Sequence, residues 1–349
     1  MKRMERARGA QKMTRFESGV IGPPEKKVQQ KGREGGFGNV EETLGWLLGG
    51  DAAVRWQALQ DLAGVKGREL QAEMAGVART GWGRRILELQ GEDGVWGGGL
   101  YTPKWTSSTY TLLLLKAFGV DGKEAGARKG ALVLLDAGVY RDGGINFWHP
   151  QWKCSETCVT GMGLAIAGRF AGGDERKDKL AEHLLGQQMT DGGWNCRRPR
   201  GATHSSMHTT ISVLEGLLEY EGAGGRMARE TRAARMRAHE FLYRHRMFRS
   251  HRTGIVIDDR MTRFSFPPQW HYDVLRGLDY LRAAGAERDE RLTEAIELVE
   301  RRRGADGRWP LQNVYKGKYH FGMERPGAPS RWNTLRALRV LRWWYGKRV

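Results

Sequence analysis

From residue 37 onward, the apolar and polar positions of the chain fall into two kinds of segment that alternate. Segments of the first kind begin with polar or aromatic residues, continue as an apolar stretch with helical spacing and end at glycine. Each of the six is predicted to be a buried helix. They cover residues 51–64, 104–119, 154–168, 204–222, 268–285 and 330–346. Their starts recur at intervals of roughly 50 to 65 residues, which is typical of an internal structural repeat.

Segments of the second kind are more charged and have one apolar face, so they are predicted to be amphipathic helices. They cover residues 69–90, 123–138, 175–189, 226–248 and 288–303. An apolar helix that alternates with an amphipathic one indicates an inner and an outer layer of helices. We therefore predict an all-α fold of six helical hairpins, which could stack as an open solenoid or close as a ring.

Asp-Gly turns that carry an aromatic residue precede several of the apolar segments. They lie at residues 93–96 (DGVW), 142–148 (DGGINFW), 191–194 (DGGW) and 306–309 (DGRW). Asp-Gly favours a turn with positive φ, and we expect the aromatic ring to pack the turn against neighbouring helices. Glutamine precedes two of the turns, as Gln90 and as the pair Gln187 and Gln188.

A glutamine, an Asp-Gly-Gly-Trp turn and then an apolar helix resemble the QW-type repeat of the terpenoid cyclase and protein prenyltransferase superfamily. Residues 187–195 are the clearest instance, and the repeat pattern covers residues 40–349. The resemblance implies a closed α6/α6 toroid, that is, a ring of six helical hairpins around a deep central cavity. It favours a ring over a solenoid, and it implies a hydrophobic or isoprenoid-like ligand in that cavity.

The distribution of charge predicts an N-terminal extension, and the cysteine content bears on the cellular compartment. Residues 1–36 carry ten Lys or Arg against four Glu and lack an apolar period, so we predict a basic, disordered extension before a toroid domain at 37–349. Three cysteines cannot build a disulfide framework. No apolar run resembles a signal peptide or a membrane span. We therefore expect a soluble, cytoplasmic protein.

The net charge of +18 is concentrated in three segments, one of which is an outer helix. Residues 226–252 carry nine Arg against two Glu. Such a surface suits nucleic acid or another polyanion, although a solvated Arg-rich face is the simpler interpretation. An adaptor that binds an anionic partner is therefore one of the functions to be weighed.

In the implied ring, the N-terminal ends of the inner helices meet at the mouth of the cavity. Helix N-termini offer free N–H groups and partial positive charge to a ligand. A purely structural helix start needs one capping residue, whereas these starts are rich in reactive side chains. We predict that the ligand-binding residues there are Trp105, Ser108, Tyr110, His204, Trp270, Arg331, Trp332 and Asn333.

The predicted catalytic residues are Glu156, Cys158, His208, His271 and Asp273. Protein prenyltransferases bind zinc through Asp-x-Cys at one inner helix start and a His on the next, so the resemblance implies a candidate zinc site at Glu156, Cys158 and His208. Glu replaces Asp here, and alignment of the helix ends places Thr209, not His208, at the ligand position. His271 and Asp273 are a candidate base and orienting acid.

Two motifs of the cyclases are missing from the chain: the DxDD motif that protonates an alkene, and the Asp-rich motif that binds magnesium. We therefore do not transfer cyclase activity. The leading hypothesis is a protein that binds a hydrophobic or isoprenoid-like ligand, with a lyase or transferase activity as a candidate. The alternatives are a carbohydrate-active toroid enzyme, which would need two catalytic carboxylates, and the polyanion-binding adaptor.

Overall fold

The structure is a computed structural model that describes residues 40–346. The predicted basic extension at 1–36 lies outside the described residues. The described helices belong to one compact unit, Phe37–Val349. In this part of the chain the secondary structure is helical, with isolated β-bridges and no strands, so the all-α prediction is confirmed.

Each of the six apolar segments contains a helix, as predicted. These inner helices are α2 (Ala52–Ala58, continued by a π-helical turn at Leu59–Ala63), α5 (Ser108–Phe118), α7 (Thr157–Phe170), α9 (Met207–Gly222), α11 (Val274–Ala283) and α13 (Arg331–Tyr345). Several begin three to six residues later than the segments do, because the first residues are extended and cap the helix. Ser206 and Ser330, for example, each accept a hydrogen bond from the backbone N–H three residues further on.

The amphipathic segments form the outer helices α6 (Ala125–Gly138), α8 (Arg176–Gln187), α10 (Ala228–Arg244) and α12 (Thr293–Arg301). The segment predicted at 69–90 is instead two helices, α3 (Gly67–Gly76) and α4 (Gly81–Leu87). The helix is interrupted between Gly76 and Gly81, and the φ of Gly81 is +56°. This turn lets Trp82 donate its backbone N–H to Asp51, the residue that caps α2. The chain also has a helix before the first repeat, α1 (Val40–Leu48).

The tryptophan of the Asp-Gly turns joins the two helices of a repeat. The indole N–H of Trp194 donates to the carbonyl of Leu184 in α8 at 2.8 Å, and its backbone N–H donates to the Thr210 hydroxyl in α9 at 3.0 Å. Trp96 and Trp309 make the same pair of bonds in their own repeats. Each of these three turns is therefore fastened to the outer helix before it and the inner helix after it.

The glutamine before a turn reaches the next repeat. The side-chain amide of Gln188 donates to Gly192 in its own turn at 2.7 Å and to Ala234 in α10 at 2.8 Å. Gln90 makes the equivalent bonds to Gly94 and Gly126. The glutamine thus connects adjacent outer helices, which explains its place in the motif.

Helices α7 and α9 pack backbone against backbone. A Cβ atom added to Gly216 would lie 2.3 Å from the carbonyl oxygen of Gly161, which is too close for any side chain. Both glycines are therefore needed where the two helices cross, and their approach brings the starts of α7 and α9 together.

The other inner helices contact one another through side chains. Trp56 of α2 donates its indole N–H to the carbonyl of Phe118 in α5 at 2.7 Å. Arg339 of α13 donates to Gln57 of α2 at 2.9 Å, although the two residues are 282 positions apart. Further contacts join α5 with α7 and α11 with α13. Within residues 40–346, no helix is long and apolar enough to cross a membrane.

Candidate functional site

The starts of α5, α7, α9 and α11 bring together aromatic, acidic, basic and thiol side chains, which we call the helix-start cluster. Its members are Tyr101, Lys104, Trp105, Tyr110, Glu156, Cys158, Cys196, His208, Trp270, His271 and Tyr315. Four were predicted as catalytic and three as ligand-binding residues. The structure thus brings these seven residues together, and their catalytic and ligand-binding roles stay predictions.

His271 is held in a stack of rings. Its imidazole lies 3.7 Å from the ring of Trp270 on one side and 3.5 Å from that of Tyr315 on the other, centroid to centroid. Its Nδ1 atom is buried and has no hydrogen-bond partner. Burial, with the charges of His208 and Arg276, lowers the pKa of His271 to about 3. The ring is therefore neutral at pH 7 and keeps an unused polar atom.

His208 is also a neutral imidazole. Its Nδ1 accepts the backbone N–H of Tyr272 at 2.8 Å, so the proton of the neutral ring lies on Nε2. Burial, then the nearby guanidinium of Arg276, lowers the pKa of His208 to about 4. His208 thus joins the start of α9 to the loop that leads into α11.

The predicted zinc site is not assembled. Among residues 40–346, no group of three or more His, Cys, Asp or Glu side chains is placed to hold a metal ion. The Nδ1 of His208 already accepts a backbone N–H, and the neighbouring Cys196, followed by burial, raises the pKa of the Cys158 thiol well above its usual value, which disfavours the thiolate that a metal ion would need. Glu156, Cys158 and His208 therefore do not fit a zinc ion in this arrangement.

Lys104 and Glu156 place opposite charges among the rings of the cluster. The Nζ of Lys104 lies 4.9 Å from the ring centroid of Tyr101 and 5.8 Å from that of Trp270, distances at which a cation and a ring attract each other. Burial lowers the pKa of Lys104. Burial raises the pKa of Glu156 despite the charges of Arg200 and Lys104. Glu156 precedes α7 without capping it, so its carboxyl group is not used by the helix.

Asp273, predicted to orient His271, has a structural role. It is fully buried and caps α11, accepting the backbone N–H of Arg276 at 2.8 Å. Its other oxygen accepts the hydroxyl of Ser265 at 2.9 Å. These bonds hold the Asp273 carboxylate in the loop before α11. The ring of His271 is therefore positioned by its stacking on Trp270 and Tyr315.

Several predicted ligand-binding residues are part of the scaffold. The hydroxyl of Ser108 accepts the backbone N–H of Trp96, and the amide of Asn333 donates to the carbonyl of Pro310 at 3.0 Å. Arg331 donates to the carbonyl of Trp46 at 3.1 Å. His204 is exposed in the loop before α9. These positions explain why residues at a helix start can look reactive in sequence and yet serve packing or capping.

A cavity of about 600 Å³ lies between α2, α5, α9, α11 and α13 and the loop at 266–269. Part of its wall is apolar and aromatic, formed by Leu113, Leu114, Leu218, Phe266 and Trp332. Trp332 stacks on Phe266 at 4.1 Å, and its buried indole N–H has no partner in the protein. Tyr110 lines the cavity and also contacts Tyr101 and Trp105, so it joins the cavity to the helix-start cluster.

Much of the rest of the cavity wall is charged. The charged residues are Asp61, Lys116, Glu215, Glu219, Arg276, Asp279, Arg282, Arg336 and Arg339. Arg276 donates two hydrogen bonds to Glu215, at 2.8 and 2.7 Å, and Lys116 pairs with Glu219 at 2.9 Å. The carboxylates are thus neutralised by basic partners in the same wall.

This charged wall was not predicted, because it lies along the inner helices and not at the helix starts, where the sequence predicts reactive side chains. The sequence nevertheless holds a signal: Lys116 directly follows four leucines within an apolar segment, and Glu215 and Glu219 lie four apart in another. A charge on the buried face of an inner helix requires a partner. That requirement could have predicted ion pairs between inner helices, although not which helices supply them.

Outer helix α10 presents exposed arginines, as the charge pattern predicted. Five exposed arginines from this helix and the loop after it form no ion pair with a described carboxylate: Arg229, Arg237, Arg244, Arg246 and Arg252. Arg235 instead points inward and binds Glu221. The polyanion partner itself stays a prediction.

No protein-family model matches the chain, and no curated protein matches it either. Among solved structures, the chain is similar to the crystal structure of a protein from Actinoplanes, with 18% identity over 84% of this chain and 90% of that chain. The TM-score is 0.44, which is too low to show a shared fold. The resemblance to cyclases and prenyltransferases therefore stays a prediction based on the repeats.

Proposed function

We propose that the compact unit closes into an α6/α6 ring whose central cavity binds an amphipathic, isoprenoid-like small molecule. The contacts of the first inner helix, α2, support closure of the ring. It bonds on one side to α5, through Trp56 and Phe118, and on the other to α13, through Gln57 and Arg339. An open solenoid would leave its first and last inner helices apart.

The observation that carries the ligand proposal is the divided lining of the 600 Å³ cavity. Its volume is in the range of ordinary small-molecule sites, about 300 to 1,000 Å³. The apolar wall at Leu113, Phe266 and Trp332 suits a hydrocarbon chain, whereas the arginines of α11 and α13 suit a polar or anionic head group. The unsatisfied N–H of Trp332 offers a further donor.

A carbohydrate-active function is less well supported by the same cavity. A glycosidase needs one carboxyl group that holds its proton at working pH and a second that stays ionised. Burial alone would raise the pKa of Glu215 and Asp279, but the arginines beside them outweigh burial and lower both pKa values. Glu156, whose pKa is raised, lies instead in the helix-start cluster. We therefore place any lyase or transferase chemistry at the cluster, next to the ligand.

A variant that fills the cavity is expected to abolish ligand binding. In Leu113→Trp, the indole would occupy space between the apolar wall and the charged wall. We expect affinity for a prenyl alcohol and its diphosphate to fall at least about tenfold, because ~1.4 kcal/mol of lost contact already has that effect. Calorimetric titration would measure it, and native mass spectrometry would show whether a lipid co-purifies.

The matched control is Leu89→Trp, which adds the same ring at an exposed position outside the cavity lining. It is expected to bind the two probes as the unaltered chain does. Equal affinity in the Leu113→Trp variant would contradict the proposed site. Failure of the unaltered chain to bind either probe, with no co-purified lipid, would contradict the proposed ligand class.

A second candidate function is binding of a polyanion on the α10 surface, favoured by the five exposed arginines there that form no ion pair with a described carboxylate. If duplex DNA lies across this helix, each arginine that contacts a phosphate releases about 0.9 counterion. The double variant Arg229→Gln/Arg244→Gln is then expected to lower the slope of log affinity against log salt by about 2. Fluorescence anisotropy at several salt concentrations would measure the slope.

The control for this experiment is Arg84→Gln/Arg301→Gln, which removes the same charge. These arginines are also exposed, but each is paired with a glutamate four residues away in the sequence. A similar fall in slope for both double variants would show that net charge alone acts. In that case α10 would not be the binding surface.

A further inference from the structure

The charges in the wall of the cavity cancel one another. The wall contains five basic side chains, Lys116, Arg276, Arg282, Arg336 and Arg339, and four carboxylates, Asp61, Glu215, Glu219 and Asp279. A fifth carboxylate, Asp273, is not part of the wall but lies 3.9 Å from the Nη2 atom of Arg336. Each basic side chain forms an ion pair with at least one of these carboxylates. The cavity therefore offers a ligand no excess of positive charge.

The arginines also keep the carboxylates of the wall ionised at pH 7. Burial alone would raise the pKa of Glu215 and that of Asp279, but Arg276 and Arg339 outweigh burial and lower them. The wall is thus a set of ion pairs and not a set of neutral acids beside free cations. A ligand with a net charge would add an unpaired charge to this partly buried site, which is unfavourable.

Arg336 keeps unused hydrogen-bond donors in this wall. Its side chain is 5% exposed, and its Nη1 atom donates to the carbonyl of Ser265 at 3.0 Å. Its Nε atom lies 3.6 Å from Asp279 and its Nη2 atom 3.9 Å from Asp273, and both distances are too long for a hydrogen bond. Within the described part of the chain, Nε and Nη2 thus attract two carboxylates but donate to neither.

The Nε and Nη2 atoms form one edge of the planar guanidinium group, next to Asp279 in the cavity wall. A hydroxyl group at this edge accepts from Arg336 and donates its own proton to the Oδ2 of Asp279, so it uses both partners. A carboxylate or a phosphate can only accept, and it would face the negative charges of Asp279 and Asp273. An ammonium group can only donate, and it would face the guanidinium. The edge therefore fits a hydroxyl group best.

One face of α13 carries both an aromatic ring and this edge. Trp332, Arg336 and Arg339 recur at intervals of four and three residues, so they lie on the same face of the helix, and all three line the cavity. Trp332, one turn before Arg336, stacks on Phe266. A ligand whose hydroxyl group meets Arg336 can therefore lay its hydrocarbon chain on these two rings.

We propose that the ligand of this cavity has an uncharged hydroxyl head group, which Arg336 and Asp279 bind together. This inference rests on the proposed function and narrows its ligand class from polar or anionic head groups to alcohols. The hydroxyl group fills the free edge of Arg336 and donates to Asp279. The neutral wall disfavours acids, phosphate esters and amines that carry the same hydrocarbon chain.

Calorimetric titration with ligands that share one chain and differ in head group would test the proposal. The probes are geraniol, geranic acid, geranylamine and geranyl diphosphate. We expect geraniol to bind at least about tenfold more tightly than each charged probe, because only the alcohol leaves the charge balance of the wall intact. If a charged probe binds as tightly as geraniol or more tightly, the head-group proposal is wrong while the cavity site stands. If none of the four binds, the proposed function fails, and this inference fails with it.

The variant Arg336→Lys tests the guanidinium edge, because it keeps the positive charge but loses the planar pair of donors. We expect the affinity for geraniol to fall about tenfold, since a hydrogen bond from a charged donor is lost. Arg301→Lys, at an exposed position outside the cavity lining, should bind geraniol as the unaltered chain does. Urea denaturation would establish that both variants are folded. Unchanged affinity for geraniol in folded Arg336→Lys would overturn the proposal.

A second variant tests the charge balance away from this edge. Glu219 is 30% exposed and pairs with Lys116, so Glu219→Gln leaves the wall with one extra positive charge. The preference for geraniol over geranic acid should then fall at least about threefold. Glu88→Gln removes the same charge from an exposed pair outside the cavity lining and should leave the preference unchanged. No change in Glu219→Gln, or an equal change in both variants, would contradict the neutral wall as the cause of the preference.

Discussion

Replacing Glu215 with leucine is expected to lower the free energy of unfolding by about 3 kcal/mol. The substitution leaves the guanidinium of Arg276, whose side chain is 6% exposed, without its carboxylate in the cavity wall. Breaking a buried ion pair from one side typically destabilises by about 3 to 5 kcal/mol. We expect the lower end, because Arg276 keeps the carbonyls of Gln269 and His271 as acceptors. Urea denaturation would measure the change.

An exposed pair of the same chemistry gives the matched control. Glu88 pairs with Arg84 within α4 and the residue after it, and both side chains are more than half exposed. Glu88→Leu should change the free energy of unfolding by no more than about 0.5 kcal/mol. The double variant Glu215→Leu/Arg276→Met should recover part of the loss, since no buried charge then remains unpaired. Equal effects of Glu215→Leu and Glu88→Leu would contradict the burial argument.

The pH dependence of this pair has a definite sign. Burial alone would raise the pKa of Glu215, but Arg276 outweighs it, so the pKa in the folded protein is below the usual value of 4.5. The stabilisation is therefore fully present above pH 4.5 and is lost as the pH falls through the lower, folded value. The difference in stability between the unaltered chain and Glu215→Leu should shrink in acid.

Trp194→Ala is expected to have the largest effect on stability, about 3 to 5 kcal/mol. The ring is completely buried, and its removal leaves a large cavity and frees the carbonyl of Leu184 from its indole partner. Because the turn joins α8 to α9, we also expect weaker ligand binding if the proposed cavity site is correct. Urea denaturation, followed by calorimetry with a prenyl diphosphate, would measure both effects.

Trp152 offers the comparison for this variant. Its side chain is 43% exposed and lies against Arg200. Trp152→Ala removes the same atoms at the surface, so we expect a change of at most about 1 kcal/mol from the lost cation–π contact. A stability loss for Trp194→Ala as small as this would show that the turn does not fasten the repeat.

The periodic pattern predicted the helices well because burial imposes it. Leu112 and Leu115 in α5, for example, are fully buried, and the apolar stretch that contains them marked the helix in sequence. Helix starts were less predictable, since capping depends on three-dimensional partners. The break at Gly81 depends on Asp51, thirty positions earlier, which no local pattern reveals.

The candidate site was predictable in its types of residue and less so in its pairings. Cys158 and Cys196 are 38 positions apart in the sequence, yet both lie near Tyr101 in the helix-start cluster. His271 lies two positions before Asp273, but the aspartate turns inward to cap its helix. Pairing between repeats depends on how closely two helices approach, and the close approach of α7 and α9 requires glycine at both Gly161 and Gly216.

The tryptophan turns also bear on the order of assembly. The bonds of Trp194 span only 10 and 16 residues, whereas the bond between Gln57 and Arg339 spans 282. Contacts of low sequence separation require little loop closure and form early. Each repeat can therefore take its shape as it leaves the ribosome, one after another. The join between the first and last inner helices comes at the end, once both halves of the cavity wall exist.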